Sequence, residues 1–205
     1  MTASRLSGPA RVADRWWTLV APAYDMSVGL VGWHRWQDAL VADVTHGSVL
    51  DVGCGPAHLA EGLLARGVDY IGLDRNPAMV ARAGRAVGAR GPGRGLVVRA
   101  DVTAVPFPTA SFDVVVATGV LGLLGVQVRR VALLEMVRVS RGEIRLLEPV
   151  VRSDVDVGAV RSRIIALVRD RPIGLDELVE VGLEPEVRGR PVLAGVYSMV
   201  RAFKR

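Results

Sequence analysis

From Ser48 onward, short apolar runs alternate with stretches in which apolar residues recur every three or four positions. The runs at 48–52, 69–74, 96–100, 112–117 and 143–148 are bounded by glycine, proline, asparagine or aspartate and read as strands. The run at 112–117 is apolar at nearly every position, the pattern of a strand buried on both faces. Between the runs the spacing predicts helices over 56–66, stopped by Gly67, over 77–87, opened by Asn76-Pro77, and over 127–139. In that third helix the spacing of Val131, Leu134 and Val137 turns them inward and leaves Arg129 and Arg130 outward. A glycine-rich turn at 88–95 and the prolines Pro106 and Pro108 mark loops. Further on come an amphipathic helix over 157–171, a short helix over 175–181 ending at Gly182, and two final strands, 184–190 and 193–203, that read as a hairpin. Strands alternating with helices predict an α/β domain on a doubly wound, mostly parallel sheet.

The first 47 residues differ. Residues 1–14 are small, polar and basic, the composition of a frayed end. Residues 15–43 read as one or two helices and hold all four tryptophans, Trp16, Trp17, Trp33 and Trp36, together with Tyr24. These aromatics either clamp a helical layer onto the sheet or line a pocket. We read 1–47 as a helical cap and 48–205 as the core of the same domain, since 205 residues suffice for one core. The apolar run at 114–128 is too short to span a membrane. No signal peptide is legible, and one cysteine excludes an internal disulfide, so a cytoplasmic location is expected. The net charge of +5 comes from arginines spread along the chain, so no nucleic-acid surface is expected. Arg161, Arg163 and Arg169 on the 157–171 helix would suit peripheral contact with an anionic membrane.

The chemistry concentrates in S-V-L-D-V-G-C-G-P-A-H-L, residues 48–59: strand, tight turn, helix start. This layout binds nucleotides in doubly wound domains. Gly53, Cys54 and Gly55 form the turn, and Pro56 suits a first helical position. Asp74 ends the next strand about 20 residues on, the separation that ribose recognition uses. L-D-V-G-C-G-P resembles motif I of the class I S-adenosylmethionine-dependent methyltransferases, with Ala57 where that family has a third glycine. I-G-L-D, at 71–74, is similar to the acidic strand end that follows motif I in that family. The E-x-x-R-V helix (Glu135, Arg138, Val139), Gly142 and L-L-E-P at 146–149 resemble its later segment.

The resemblance implies a Rossmann-like seven-stranded sheet with an antiparallel last strand and an N-terminal helical segment. It implies S-adenosyl-L-methionine as cofactor: Asp51 on the ammonium group, backbone groups of Gly53, Cys54 and Gly55 on the amino acid and sugar, Asp74 with Arg75 at the ribose, Asp101 and Val102 at the adenine, and Ala117 and Thr118 on the far wall. A-Y-D-M at 23–26 and G-W-H-R-W at 32–36 resemble the opening of the ubiquinone/menaquinone C-methyltransferases. By that likeness Tyr24 joins the cofactor site, His34 becomes a candidate general base, and the acceptor is a small, apolar, quinol-like molecule. The base-gripping Pro-Pro-aromatic strand end and the acidic pairs of metal-dependent catechol enzymes are both missing, so neither base methylation nor a metal is expected. Two alternatives stand beside this reading. One is a nicotinamide-dependent oxidoreductase, whose fingerprint would need glycine at His58; the other is a non-catalytic S-adenosylmethionine-binding module.

Overall fold

The computed structural model describes residues 32–88, 91–151, 171–192 and 196–205. Tyr24, Trp16, Trp17 and the 157–170 stretch with its three arginines lie outside the described residues. In chain order the elements are α1 (Trp33–Leu40), β1 (Ser48–Val52), α2 (His58–Ala65), β2 (Asp69–Asp74), α3 (Pro77–Val87), β3 (Gly95–Arg99), β4 (Phe112–Thr118), α4 (Val126–Val139), β5 (Ser140–Glu148), β6 (Val150–Val151), β7 (Ile173–Gly174), α5 (Leu175–Glu180), β8 (Leu183–Val192) and β9 (Tyr197–Lys204). Seven strands form one sheet in the order β3-β2-β1-β4-β5-β9-β8, and β6 and β7 pair separately. β1 to β5 run parallel, whereas β9 lies antiparallel between β5 and β8. This is the predicted Rossmann-like sheet with its antiparallel end.

Each face of the sheet has its own apolar layer. One packs Leu59, Leu63, Ala83 and Trp33 from α1 to α3 against Val49, Val114 and Val116. The other packs Leu133, Met136 and Leu178 from α4 and α5 against Leu50, Val115 and Ile144. β4, covered on both sides, is buried along almost its whole length, as its unbroken apolar run requires. Asn76 caps α3 by accepting from the amides of Ala78 and Met79, and Pro77 takes the first helical position.

Two expectations need correction. Pro56 does not open α2; it lies in the turn, and Ala57 is the residue before the helix, held at φ 64°. The chain still makes the left-handed step for which the family uses glycine, so the helix starts two residues late. The second concerns α4. Arg129 faces inward and is 1% exposed, while Val131 and Leu134 are exposed. The buried face is Arg129, Ala132, Leu133, Met136 and Val139. Burial of Arg129 is tolerated because its guanidinium makes a bidentate pair with Glu177 (2.9 and 2.7 Å) and donates to the carbonyls of Arg171 and Pro172. Arg130 points outward, to Glu180.

Candidate functional site

In a sheet of this order, the chain leaves β1 towards one edge and returns at β4 towards the other. The crevice at the carboxyl ends of those strands is where doubly wound domains bind ligands. A cavity of about 220 Å³ occupies it. Its floor is Gly53 and Gly55; Asp74, Arg75, Asp101 and Val102 stand on the β2–β3 side, and Thr118 and Gly119 on the β4 side. Apart from Asn76, the remaining wall is apolar and includes Met79, Val120, Leu123, Leu124 and Val128.

The glycine turn is built into the sheet. The amides of Gly53 and Cys54 both donate to the Leu73 carbonyl (2.7 and 3.0 Å), and that of Gly55 donates to the Asp74 carboxylate (3.0 Å). All three N–H groups are therefore used inside the protein. The turn has carbonyl oxygens and bare Cα surface to offer a ligand, rather than the mixed backbone groups the sequence suggests. Gly53 is obligatory twice over: its φ is 68°, and a Cβ there would lie 2.6 Å from the Val120 side chain. The other oxygen of Asp74 accepts from the Asn76 amide (2.8 Å). Burial holds the Asp74 carboxyl above its ordinary pKa, partly offset by the Asn76 and Gly55 amides. Asp101 accepts from the amide and hydroxyl of Thr103 (2.9 and 2.7 Å) and faces the Arg75 guanidinium at 3.7 Å.

Not every candidate reaches the cavity wall. Ala117 is buried inside β4, one residue short of it. The Cys54 thiol points under β2, where a Cβ on Gly72 would lie 2.9 Å from it, and burial raises its pKa well above the ordinary value. Asp51 is buried behind the turn and accepts from the Tyr70 hydroxyl at 2.8 Å. That contact depends on Gly72, since a Cβ there would also sit 3.1 Å from the Tyr70 oxygen. His34 does not line the cavity but connects to it. Gln37 donates to the Thr118 hydroxyl (2.8 Å), which leaves its amide oxygen to accept from His34 Nδ1 (3.2 Å). The His34 ring stacks on His58 with centroids 3.8 Å apart. Burial first, and then His34, lower the His58 pKa, so His58 is neutral at neutral pH. Trp33 clamps α1 onto the sheet through an edge contact with Tyr197 (4.9 Å).

Sequence reasoning missed Glu148. This fully buried carboxylate accepts from the amides of Val120, Leu121 and Gly122 (2.8, 3.0 and 3.2 Å). It holds the turn whose Val120, Leu123 and Leu124 form the apolar wall. The available signal was an acid directly after the apolar pair Leu146-Leu147 at a strand end. Glu135 and Arg138 brace the loop above the site: Glu135 accepts from the Val105 amide, and Arg138 donates to the carbonyls of Val105 and Phe107.

Residues 49–142 match the family described as "Methyltransferase domain". An uncharacterized methyltransferase of Mycolicibacterium vanbaalenii is 35% identical over 107 residues, which cover 52% of this chain and 39% of that protein. A demethylmenaquinone methyltransferase of Thermus thermophilus is 36% identical, over 47% of each chain. The chain thus spans less than half the length of these relatives. Among solved structures, the magnesium protoporphyrin IX methyltransferase of Synechocystis with bound S-adenosylmethionine superposes with a TM-score of 0.68 at 18% identity, over 100% of both chains. The [4+2]-cyclase SpnF superposes with a TM-score of 0.62 at 18% identity, over 83% of this chain and 80% of that one.

Proposed function

We propose that the chain is a class I S-adenosylmethionine-dependent methyltransferase that binds S-adenosylmethionine over β1 to β4 and methylates a small, apolar acceptor, a reading supported by the methyltransferase-domain match over 49–142 and the methyltransferase relatives. One observation carries the proposal. A single cavity gathers Gly53 and Gly55, the Asp74 carboxylate, Asp101 with Val102, and Thr118 with Gly119 from four successive strand ends.

The residues fit such a cofactor. Each Asp74 oxygen accepts one backbone amide and keeps lone pairs for ribose hydroxyls. Asp101 stands ready for an adenine amino group, and Val102 offers an apolar surface to the ring. The turn carbonyls, with Asp51 behind them, suit an ammonium. When bound, the sulfonium supplies an already activated methyl group, so the protein's task is mainly proximity and alignment. Val120, Leu123, Leu124 and Val128 exclude water from the β4 side. Thr118 accepts from Gln37, which leaves its own O–H as a donor for the cavity. That apolar wall, and the name of the Thermus relative, favour a quinol-like acceptor.

Calorimetric titration tests the cofactor half. S-adenosylmethionine and S-adenosylhomocysteine should bind with micromolar affinity and NAD should not. Asp74→Ala should weaken binding by roughly 10- to 100-fold, the loss of charge-assisted hydrogen bonds. Failure of both sulfur ligands to bind would overturn the reading. Turnover of demethylmenaquinol tests the acceptor half, and its absence alongside tight cofactor binding would remove the quinol assignment.

A further inference from the structure

Behind the glycine turn the fold leaves one acid unsatisfied. Asp51 is 2% exposed, its Oδ2 accepts from Tyr70, and its Oδ1 is buried with no partner among the described residues. Among the described residues, the groups around it offer no cation. On β2 its register partner is Gly72, with Tyr70 two residues before it and Asp74 at the strand end; on β4 its partner is Val116; on the turn it faces Cys54. A carboxylate in such surroundings lacks both solvation and a counter-charge, and the proton-bearing form is favoured. Burial raises its pKa, the Tyr70 hydrogen bond pulls it partly back, and Asp74 raises it again, to about 7.

We infer that ligand binding at this site expels a proton from Asp51: the free protein holds the carboxyl protonated, and the cationic end of the ligand replaces that proton as its counter-charge. The inference rests on the cofactor reading above. The exchange balances: the Asp51 O–H bond breaks, its electron pair stays on the carboxylate, the proton leaves to solvent, and the ammonium enters with one positive charge. One positive charge beside the Asp51 carboxylate replaces another, so the apolar layer around Val49 and Val116 never encloses that carboxylate without a counter-charge. Binding should therefore strengthen as pH rises from 5 to 7, because less work is needed to remove the proton.

Proton release is read by titrating S-adenosylhomocysteine at pH 6 in buffers of different ionisation enthalpy. At that pH the ligand's α-amino group is fully charged. Close to one proton should leave per ligand bound. Asp51→Asn should bind with no release. 5′-Methylthioadenosine, which lacks the amino acid end, should bind wild-type protein with no release. Binding of S-adenosylhomocysteine by wild-type protein without proton release would overturn the inference. An infrared difference spectrum of ligand-free wild type against Asp51→Asn at pH 6 should show a protonated-carboxyl band, and its absence would overturn the inference whatever binds. Failure of every ligand to bind would instead sink the cofactor reading, with the infrared band still reporting on Asp51 separately.

Discussion

The side chain that stands out is Asp51, because its folded pKa near 7 lies well above its ordinary value of 3.8. A raised carboxyl pKa means the folded chain holds the proton more tightly than the unfolded one. Its stability contribution is full below about pH 4 and is lost as pH climbs towards 7. Asparagine has no such loss. In the ligand-free protein, the stability of Asp51→Asn relative to wild type should therefore rise between pH 4 and pH 8, by at most about 4 kcal/mol. Thermal melts across that range would read it, and a pH-independent difference would count against a protonated Asp51. Gly72 belongs to the same small network. Gly72→Ala should cost about 1–3 kcal/mol in urea unfolding, since the new Cβ displaces both Cys54 Sγ and the Tyr70 hydroxyl.

At the scale of elements, α4 and the turn before it share responsibility for the cavity wall. Leu133 and Leu134 are adjacent in sequence, yet one is fully buried and the other is 46% exposed. Leu133→Ala should cost about 2–5 kcal/mol and Leu134→Ala within about 0.5 kcal/mol, measured by chemical denaturation. Reversal of that order would restore the face predicted from spacing. Glu148 replaces a cap for three amides at once. Glu148→Gln leaves part of that set unpaired and should lower stability by about 1–3 kcal/mol. Because the same turn carries Val120, Leu123 and Leu124, the variant should also weaken S-adenosylhomocysteine binding in calorimetry.

At the scale of the whole molecule, the sheet order ranks the strands by protection. β1 and β4 sit at the centre with both faces covered, whereas β3 is an edge strand with three of its five residues exposed. Amide hydrogen exchange should be slowest in β1 and β4 and much faster in β3. Bound S-adenosylhomocysteine should slow exchange at the turn 53–55 and at 118–120, the two stretches that meet across the cavity. Arg145, buried in β5, extends this integration to α1: it donates to the Leu40 carbonyl (2.8 Å) and pairs with Asp43 and Glu143. The Arg145 hydrogen bond holds the Asp43 carboxyl below its usual range.

Much of this was legible in one dimension. β1, β2 and α3 fall at the expected residues because each is bounded by local chemistry: glycine turns, an acid at a strand end, and Asn76-Pro77. Gly53, Gly55, Asp74, Asp101 and Thr118 meet at one cavity because a parallel sheet puts successive strand ends on one edge. The inward face of α4 could not be read, because apolar residues lie all round that helix and Arg129 is buried only by virtue of Glu177, 48 positions away. The role of Glu148 was equally hidden, as its three amides belong to a turn 26 to 28 residues earlier. Local sequence determined the strands, the turns and the kind of site; the tertiary structure decided which polar groups are satisfied and which, Asp51 Oδ1 among them, are not. Burial and hydrogen bonding there depend on neighbours that only the folded sheet brings together.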